Sequence, residues 1–279
     1  SGTGSNQSIT LDGDENMSPD LVWMKCRSHS DNHTIFNTTS GATKRLFSNL
    51  TQQESTEATS LTSFDSDGFT LGSDALANAS GRTFVAWCWK ETATAGFDIL
   101  KYEGNATNRT ISHSLSAVPH VMIIKNLEST SSSAEHWLVY HKSIDNTHGL
   151  LLNQTNAKID DATYFQDTDP TSSVFSIGTA DRCNKNNEDN IAYLWSEKAR
   201  DWQIWDNKRL GYNASGGNKN LILNKTDTED TYADIDILSN GFKLRSDSSA
   251  HNKSDQTYVY MAFAEAPFVN SKGVPCNAR

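Results

Sequence analysis

Proline is scarce in this chain, five residues in 279, and there are no long Gly or Ser tracts. Both absences argue against a disordered polypeptide. No apolar run approaches the roughly 18 residues that a membrane-spanning helix needs, so no membrane span is expected. Positive charge is thin as well. Lys and Arg total 24 against 34 Asp and Glu, the formal charge is -10, and the doublets Lys44-Arg45 and Lys208-Arg209 stand alone. Phosphate backbones require concentrated cations, which excludes nucleic acid as the expected partner. Four cysteines, at 26, 88, 183 and 276, form no CxxC and have no histidine at ligand spacing, which sets zinc aside. Cys88 lies in the apolar stretch Phe84–Trp89 and reads as a buried free thiol. Cys26, Cys183 and Cys276 have polar sequence neighbours, and disulfides among them stay open. No G-x-S-x-G, Walker-type loop, H-E-x-x-H or Cys/His pairing occurs, so neither an enzyme nor a cofactor is expected. The chain starts at Ser1 without a Met or a signal-like segment and reads as a processed or trimmed product.

What is abundant is Asn, with 25 residues, and Ser plus Thr, with 60, between apolar stretches of four to eight residues. Those stretches alternate apolar with polar and favour Val, Ile, Thr, Tyr, Phe and Trp, the pattern of half-buried antiparallel strands joined by polar turns. They also recur. Pro19–Lys25 returns as Pro119–Lys125, and Thr83–Glu91 returns as Asp189–Glu197 and Thr257–Glu265. A first strand, Ser1–Thr10, matches Tyr102–Ile111. The alternating stretches His33–Asn37, Trp137–His141 and Trp202–Asp206 correspond, as do Phe64–Leu71, Val174–Ile177 and Ile237–Leu244. The expected fold is all-β, with little helix: tandem antiparallel β-sandwich units of jelly-roll or lectin-like type, two complete and one truncated. Their expected extents are 1–98, 99–198 and 199–279.

The third copy is short. From Glu91 to Trp137 the chain spends 46 residues, and from Glu197 to Trp202 only five. About forty residues, containing the first strand and the Pro-led strand, are missing. That leaves an open sheet edge in the third unit, and strand exchange or self-assembly is the expected use of it.

Comparing copies weighs each candidate motif. Asp65-Ser66-Asp67-Gly68 resembles the start of a calcium loop, but the other copies carry Ser239-Asn240-Gly241 and Ser172-Ser173-Val174, so a hairpin turn is expected. Glu91, Glu197 and Glu265 are aligned, with Lys25 and Lys125 as recurring partners; a glycosidase would need two carboxylates facing across a cleft. Most tryptophans align with Ile, Val, Phe or Tyr and are expected in cores, while Trp137, Trp202 and Trp205 are the candidates for stacking on a glycan. Twelve Asn-X-Ser/Thr sequons occur, more than twice what this composition gives by chance. Asn49, Asn153 and Asn224 are equivalent positions, and Asn78, Asn105 and Asn252 are further candidates for N-glycosylation. The other reading is that turn-rich β proteins favour Asn before Ser or Thr.

Taken as a set, Pro19–Lys25, Leu61–Gly72, Phe84–Lys90, Thr168–Ser176, Leu238–Leu244, Met261–Val269 and the terminal Asn270–Arg279 resemble a repeat of structural proteins from tailed phages, especially marine ones. The resemblance implies a virion location, in a tail fibre, a tail appendage or a capsid decoration with a host-attachment role, and it brings no site residues with it. Two other readings stay open: an N-glycosylated subunit of an extracellular fibre or surface layer, and a lectin-like module for cell-surface glycans. The expected partners are therefore further copies, other virion proteins or a cell-surface glycan, and the expected location is a virion or the cell exterior.

Overall fold

The computed structural model describes residues 1–11, 13, 16–128, 136–197, 203–205, 218–222, 230–232, 235–238, 241–246 and 252. They belong to two compact units, Ser1–Lys198 and Ala199–Arg279. The described residues form mostly short strands in antiparallel sheets, with three four-residue helices, as the alternating pattern predicts.

In the first unit, copy 1 supplies β1 (Gln7–Thr10), β2 (Leu21–Cys26), β3 (Thr34–Asn37), β4 (Lys44–Phe47), β5 (Ser55–Thr56), β6 (Leu61–Asp65), β7 (Gly68–Leu71) and β8 (Phe84–Trp89), with helix α1 (Ala75–Asn78). These make a five-stranded sheet, β5-β4-β3-β2-β8, and a three-stranded sheet, β1-β7-β6. Copy 2 supplies β9 (Phe97–Glu103), β10 (Arg109–Ser112), β11 (Pro119–Asn126), β12 (Leu138–His141), β13 (His148–Leu151), β14 (Ile159–Asp160), β15 (Val174–Ile177) and β16 (Asp189–Ser196), with helices α2 (Ala162–Phe165) and α3 (Asp181–Asn184). Its sheets are β14-β13-β12-β11-β16-β9 and the pair β10-β15.

Because side chains alternate across a strand, each large sheet has two apolar faces. Val22, Met24 and Phe36 face the small sheet of copy 1 and share a core with Leu61, Phe69 and Leu71. In copy 2, Met122, Ile124, Tyr140 and Leu194 do the same with Phe175 and Ile177, closed by Tyr164, Phe165 and Cys183 from the helices. The remaining faces meet each other. Leu21, Ile35 and Leu46 pack with Ile123, Val139, Ile191 and Tyr193, flanked by Trp23, Trp89, Leu150 and Trp195. The faces are equivalent, since Ile35, Leu46 and Trp89 in copy 1 correspond to Val139, Leu150 and Trp195 in copy 2. Two copies fused in one chain thus meet through equivalent apolar faces. Burial on both faces explains why Leu21–Met24, Val121–Ile124 and Ile191–Trp195 are continuous apolar runs.

Polar bonds cross the same boundary. The Trp137 indole donates to the carbonyls of Phe47, at 3.0 Å, and Leu50, at 3.2 Å. The Asn37 amide donates to the Tyr193 hydroxyl at 3.0 Å, and the Glu54 amide to the Leu127 carbonyl at 2.9 Å. The boundary expected at 98/99 falls inside β9, which pairs wholly with β16 of copy 2.

Each copy ties down its first strand with one buried asparagine. Asn78 donates to the carbonyls of Gly72 and Ser5 and accepts from the Thr3 amide. Asn184 donates to Gly178 and Thr107 and accepts from Asn105. A Cβ at Gly2 or Gly104 would fall 2.3 Å or 2.0 Å from the carbonyl oxygen of Ala79 or Lys185, so only glycine fits beside these brackets. Asp65–Gly68 is the tight turn between β6 and β7, with Gly68 at φ 119°; Asp65 accepts from Ser63 and Thr70, and Asp67 from the Met17 amide.

Two cysteines differ from their expected setting. Cys26 and Cys183 are buried free thiols rather than polar-surface residues, because β2 and α3 turn them into cores. Burial pushes the Cys183 thiol up to about 12. Cys88 is a free thiol, half-buried, raised by burial to about 11. Cys276 lies outside the described residues.

The second unit contains β17 (Gln203–Trp205), β18 (Asn218–Ile222) and β19 (Asp230–Tyr232) in one sheet, and the hairpin β20 (Ile235–Leu238) with β21 (Gly241–Leu244). The order β17-β18-β19 repeats β3-β4-β5 and β12-β13-β14. The expected open edge of this unit, the closing stretch Thr257–Glu265 and Trp202 involve residues outside those described.

Candidate functional site

The closing strands β8 and β16 are aligned in sequence and sit at the same place in their sheets, yet their surroundings differ. β16 is central: β11 pairs with one edge and β9 with the other, Phe97 opposite Trp195, Ile99 opposite Tyr193 and Leu100 opposite Ala192. β8 pairs with β2 through Trp89 opposite Leu21 to Phe84 opposite Cys26. Among the described residues no strand pairs with its outer edge. The consequence is visible in burial. Tyr193 and Ala192 are 2% and 0% exposed, while the equivalent Trp87 is 45% exposed and Ala86 lies open.

Edge strands of soluble proteins are normally short or charged. The other edges of the large sheets obey this: β5 and β14 are two residues long, and the open side of β9 carries Lys101 and Glu103. β8 does not. Its six residues, Phe-Val-Ala-Trp-Cys-Trp, have the composition of a strand covered on all sides.

At the C-terminal end of β8 the aligned indoles of the two copies meet. Trp89 and Trp195 stand edge-to-face at 6.0 Å, with Phe97 at 6.2 Å from the first and 4.9 Å from the second. A small apolar crevice between the two sheets is lined by Trp23, Ile123, Trp137 and Trp195, among others. The Trp23 indole nitrogen is buried there without a hydrogen-bond partner.

Just beyond β8 lies an acidic knot. Burial, a hydrogen bond to Asp98, and the charges of Asp98 and Asp20 push the Glu91 carboxyl up to about 7. Asp98 is itself buried and accepts from the Ser114 amide at 2.6 Å and hydroxyl at 2.9 Å. Asp20 accepts from the Glu91 amide at 2.7 Å and pairs with Lys90 at 2.9 Å. Glycosidase carboxylates stand about 5–10 Å apart, and two acids joined by a hydrogen bond leave no room for a sugar ring between them. The aligned Glu197 instead meets His120 at 3.3 Å. The Lys25 and Lys125 amines bond back to the carbonyl of the following residue, Cys26 or Asn126.

The predicted site residues do not converge. Trp137 is fully buried between the copies and cannot stack on a glycan. Trp205 is half-buried in β17, and Trp202 is not among the described residues. Asn49 and Asn153 do the same job in their copies, accepting the backbone amide of His33 at 2.9 Å and of Trp137 at 3.2 Å. Their alignment is thus explained by architecture. Asn78 is fully buried with its amide committed to two carbonyls, so it has no nitrogen for a sugar. Asn105 and Asn252 are exposed, and Asn224 is outside the described residues. Sequence reasoning did not anticipate that the aligned closing strands differ in their neighbours, since β16 pairs with both β11 and β9 and β8, among the described residues, with β2.

A family model described as Domain of unknown function (DUF7483) matches residues 1–200 and again 196–267. The chain belongs to the DUF7483 family. The first match spans the two fused copies, and its end lies within two residues of the end of the first compact unit. No curated protein and no solved structure matches the chain. Among the described residues no group of three or more His, Cys, Asp or Glu could hold a metal ion, and no helix is long and apolar enough to cross a membrane.

Proposed function

We propose that this DUF7483 chain is a non-catalytic building block of an extracellular assembly, a virion tail fibre, tail appendage or capsid decoration with an attachment role. The supporting observation is the fusion of two copies through equivalent aromatic faces. That arrangement invests the largest side chains, Trp137 and Tyr193 among them, in a rigid interior rather than in a ligand cleft. The phage-repeat resemblance of Pro19–Lys25 and Phe84–Lys90 points the same way. Immunogold electron microscopy of native particles, using antibodies against residues 1–198, tests this. Label at one fixed position on tails or shells is the expected result. Label confined to cell interiors would overturn it.

A glycosylated-fibre reading retains two exposed described candidates, Asn105 and Asn252, besides Asn49 at its turn. Peptide mass spectrometry of the native protein decides it: attached hexosamine at these positions would favour a surface glycoprotein over a phage part.

A further inference from the structure

We propose that Asn6 and Asn108 are the N-glycan acceptors of this chain, one in each copy, each taking an oligosaccharide on its side-chain nitrogen. The proposal rests on the glycosylated-fibre reading above and assigns that reading its sites. It starts from register. β1 pairs with β7 through Gln7 opposite Leu71, and β10 pairs with β15 through Arg109 opposite Ile177, the residue aligned with Leu71. The buried brackets agree: Asn78 accepts from the Thr3 amide and Asn184 from the Asn105 amide. Asn6 is therefore the counterpart of Asn108, one residue further along than the sequence match of Ser1–Thr10 with Tyr102–Ile111 placed it. Each stands immediately before its strand, β1 or β10, and each heads a sequon, Asn6-Gln7-Ser8 and Asn108-Arg109-Thr110.

Other sequons are tied up in the fold. Asn37 is buried and donates to Tyr193, and Asn78 is buried with its amide on two carbonyls. Asn49 and Asn153 hold the amides of His33 and Trp137. Asn105 accepts from the Thr107 amide at 3.1 Å, and Asn252 donates to the Ser246 carbonyl. Asn6 and Asn108 are exposed, and their side chains make no hydrogen bond among the described residues. A shared backbone bond accounts for the aligned sequons at 49 and 153, and no such bond accounts for the pair at 6 and 108. Exposure alternates along both strands, so Ser8 and Thr110 lie on the same open side as the asparagine two residues before. A transferase thus meets the amide and the hydroxyl together, as the motif requires. Asn16 is exposed too, but with Pro19 and Pro119 aligned its counterpart is Ser116, and its own sequon closes on the half-buried Ser18.

The chemistry is a group transfer from a lipid-pyrophosphate oligosaccharide supplied by the producing cell. The Asn Nδ2 attacks C1 of the first sugar, the C1–O bond to phosphate breaks, and the lipid pyrophosphate leaves with that electron pair. One Nδ2 proton passes to a base of the transferase, and the product is a neutral N-linked amide.

Peptide mass spectrometry of the native protein, before and after an N-glycan amidase, tests the assignment. Hexosamine-bearing peptides are expected at Asn6 and Asn108, each asparagine converted to aspartate by the amidase, with Asn37 and Asn78 bare. Made in the same cells, Asn6→Gln and Asn108→Gln should each remove one glycan from the intact mass. Ser8→Ala and Thr110→Val should do the same while keeping the asparagine. A bare Asn6 or a bare Asn108 would overturn the proposal. So would sugar that persists in Ser8→Ala and Thr110→Val, since the sequon would then not be what is read. Sugar at Asn105 or Asn252 with Asn6 and Asn108 bare would leave the glycosylated-fibre reading standing without this assignment, whereas no sugar anywhere would remove both.

Discussion

β8 and β16 descend from the same sequence pattern and differ in one neighbour. β16, flanked by β11 and β9, buries Ile191, Ala192, Tyr193 and Leu194 completely or nearly so. β8, flanked by β2, leaves Ala86 and Trp87 open. The composition of a strand therefore reports the environment the repeat was built for, while exposure reports which neighbours are present. The agreement elsewhere is just as instructive: Asn78 and Asn184, Asn49 and Asn153, and Trp89 and Trp195 keep the same bonds or contacts in both copies.

The largest expected effect comes from a position where the copies diverge. Trp137 and His33 are equivalent, each receiving its backbone bond from an aligned asparagine. Trp137 is fully buried and bridges the copies, so Trp137→Ala should cost about 3–5 kcal/mol. His33→Ala, at a half-buried ring against Trp23, should cost no more than about 1 kcal/mol. Urea unfolding followed by hydrogen exchange checks both. It should also show the two large sheets losing protection together, since they share a core. Separate loss would break the fused-dimer description.

A smaller effect sharpens the similarity. Asn78→Ala and Asn184→Ala each remove an amide that donates two backbone bonds and accepts one, the bond to Gly72 or Gly178 being buried, for about 1–3 kcal/mol apiece. The two costs should agree within error and add in the double variant, because the two asparagines share no hydrogen-bond partner. Unequal costs would mean the brackets carry different loads.

Much of this was legible in sequence. The alternation of Thr34–Asn37 and Leu138–His141 marked strands, Asp65–Gly68 marked its hairpin, and the repeat identified Trp89 and Trp195 as architecture. What stayed hidden depends on distant packing. Nothing in Leu21–Met24 says which face meets its own small sheet and which meets the other copy. Trp137 looked like a glycan platform because its alternating strand has an apolar side either way, and only the stacking of copies decides that the side is covered. Cys26 and Cys183 looked polar because their sequence neighbours are, whereas strand alternation and a single helical turn point them inward. Sequons were ambiguous for a related reason: an Asn side chain that caps a turn and one that carries a sugar are spelled the same way.

The smallest effect concerns the end of the closing strand, where aligned glutamates part company. Glu91 shares a hydrogen bond with Asp98 and is held up to about 7, from an ordinary value of 4.5, by burial first and by Asp98 and Asp20 after it. The folded chain therefore holds a proton there that the unfolded chain has released. That contribution is fully present below about pH 4.5 and is lost as pH rises through about 7, the reverse of the usual carboxylate pattern. Glu91→Gln mimics the protonated acid. It should flatten the fall in the urea midpoint between about pH 5 and pH 8 and leave the variant at least as stable as the parent at the upper end. Glu197→Gln, at a carboxylate 63% exposed beside His120, should leave that slope in place. The sheet contacts of β8 end two residues before Glu91, at Trp89, so exchange at residues 84–89 measured over the same pH range reports whether the acid pair also steadies β8. Equal slopes for the parent and Glu91→Gln would show that the Glu91–Asp98 proton is not shared, and the contrast between the two closing strands would then rest on β9 alone.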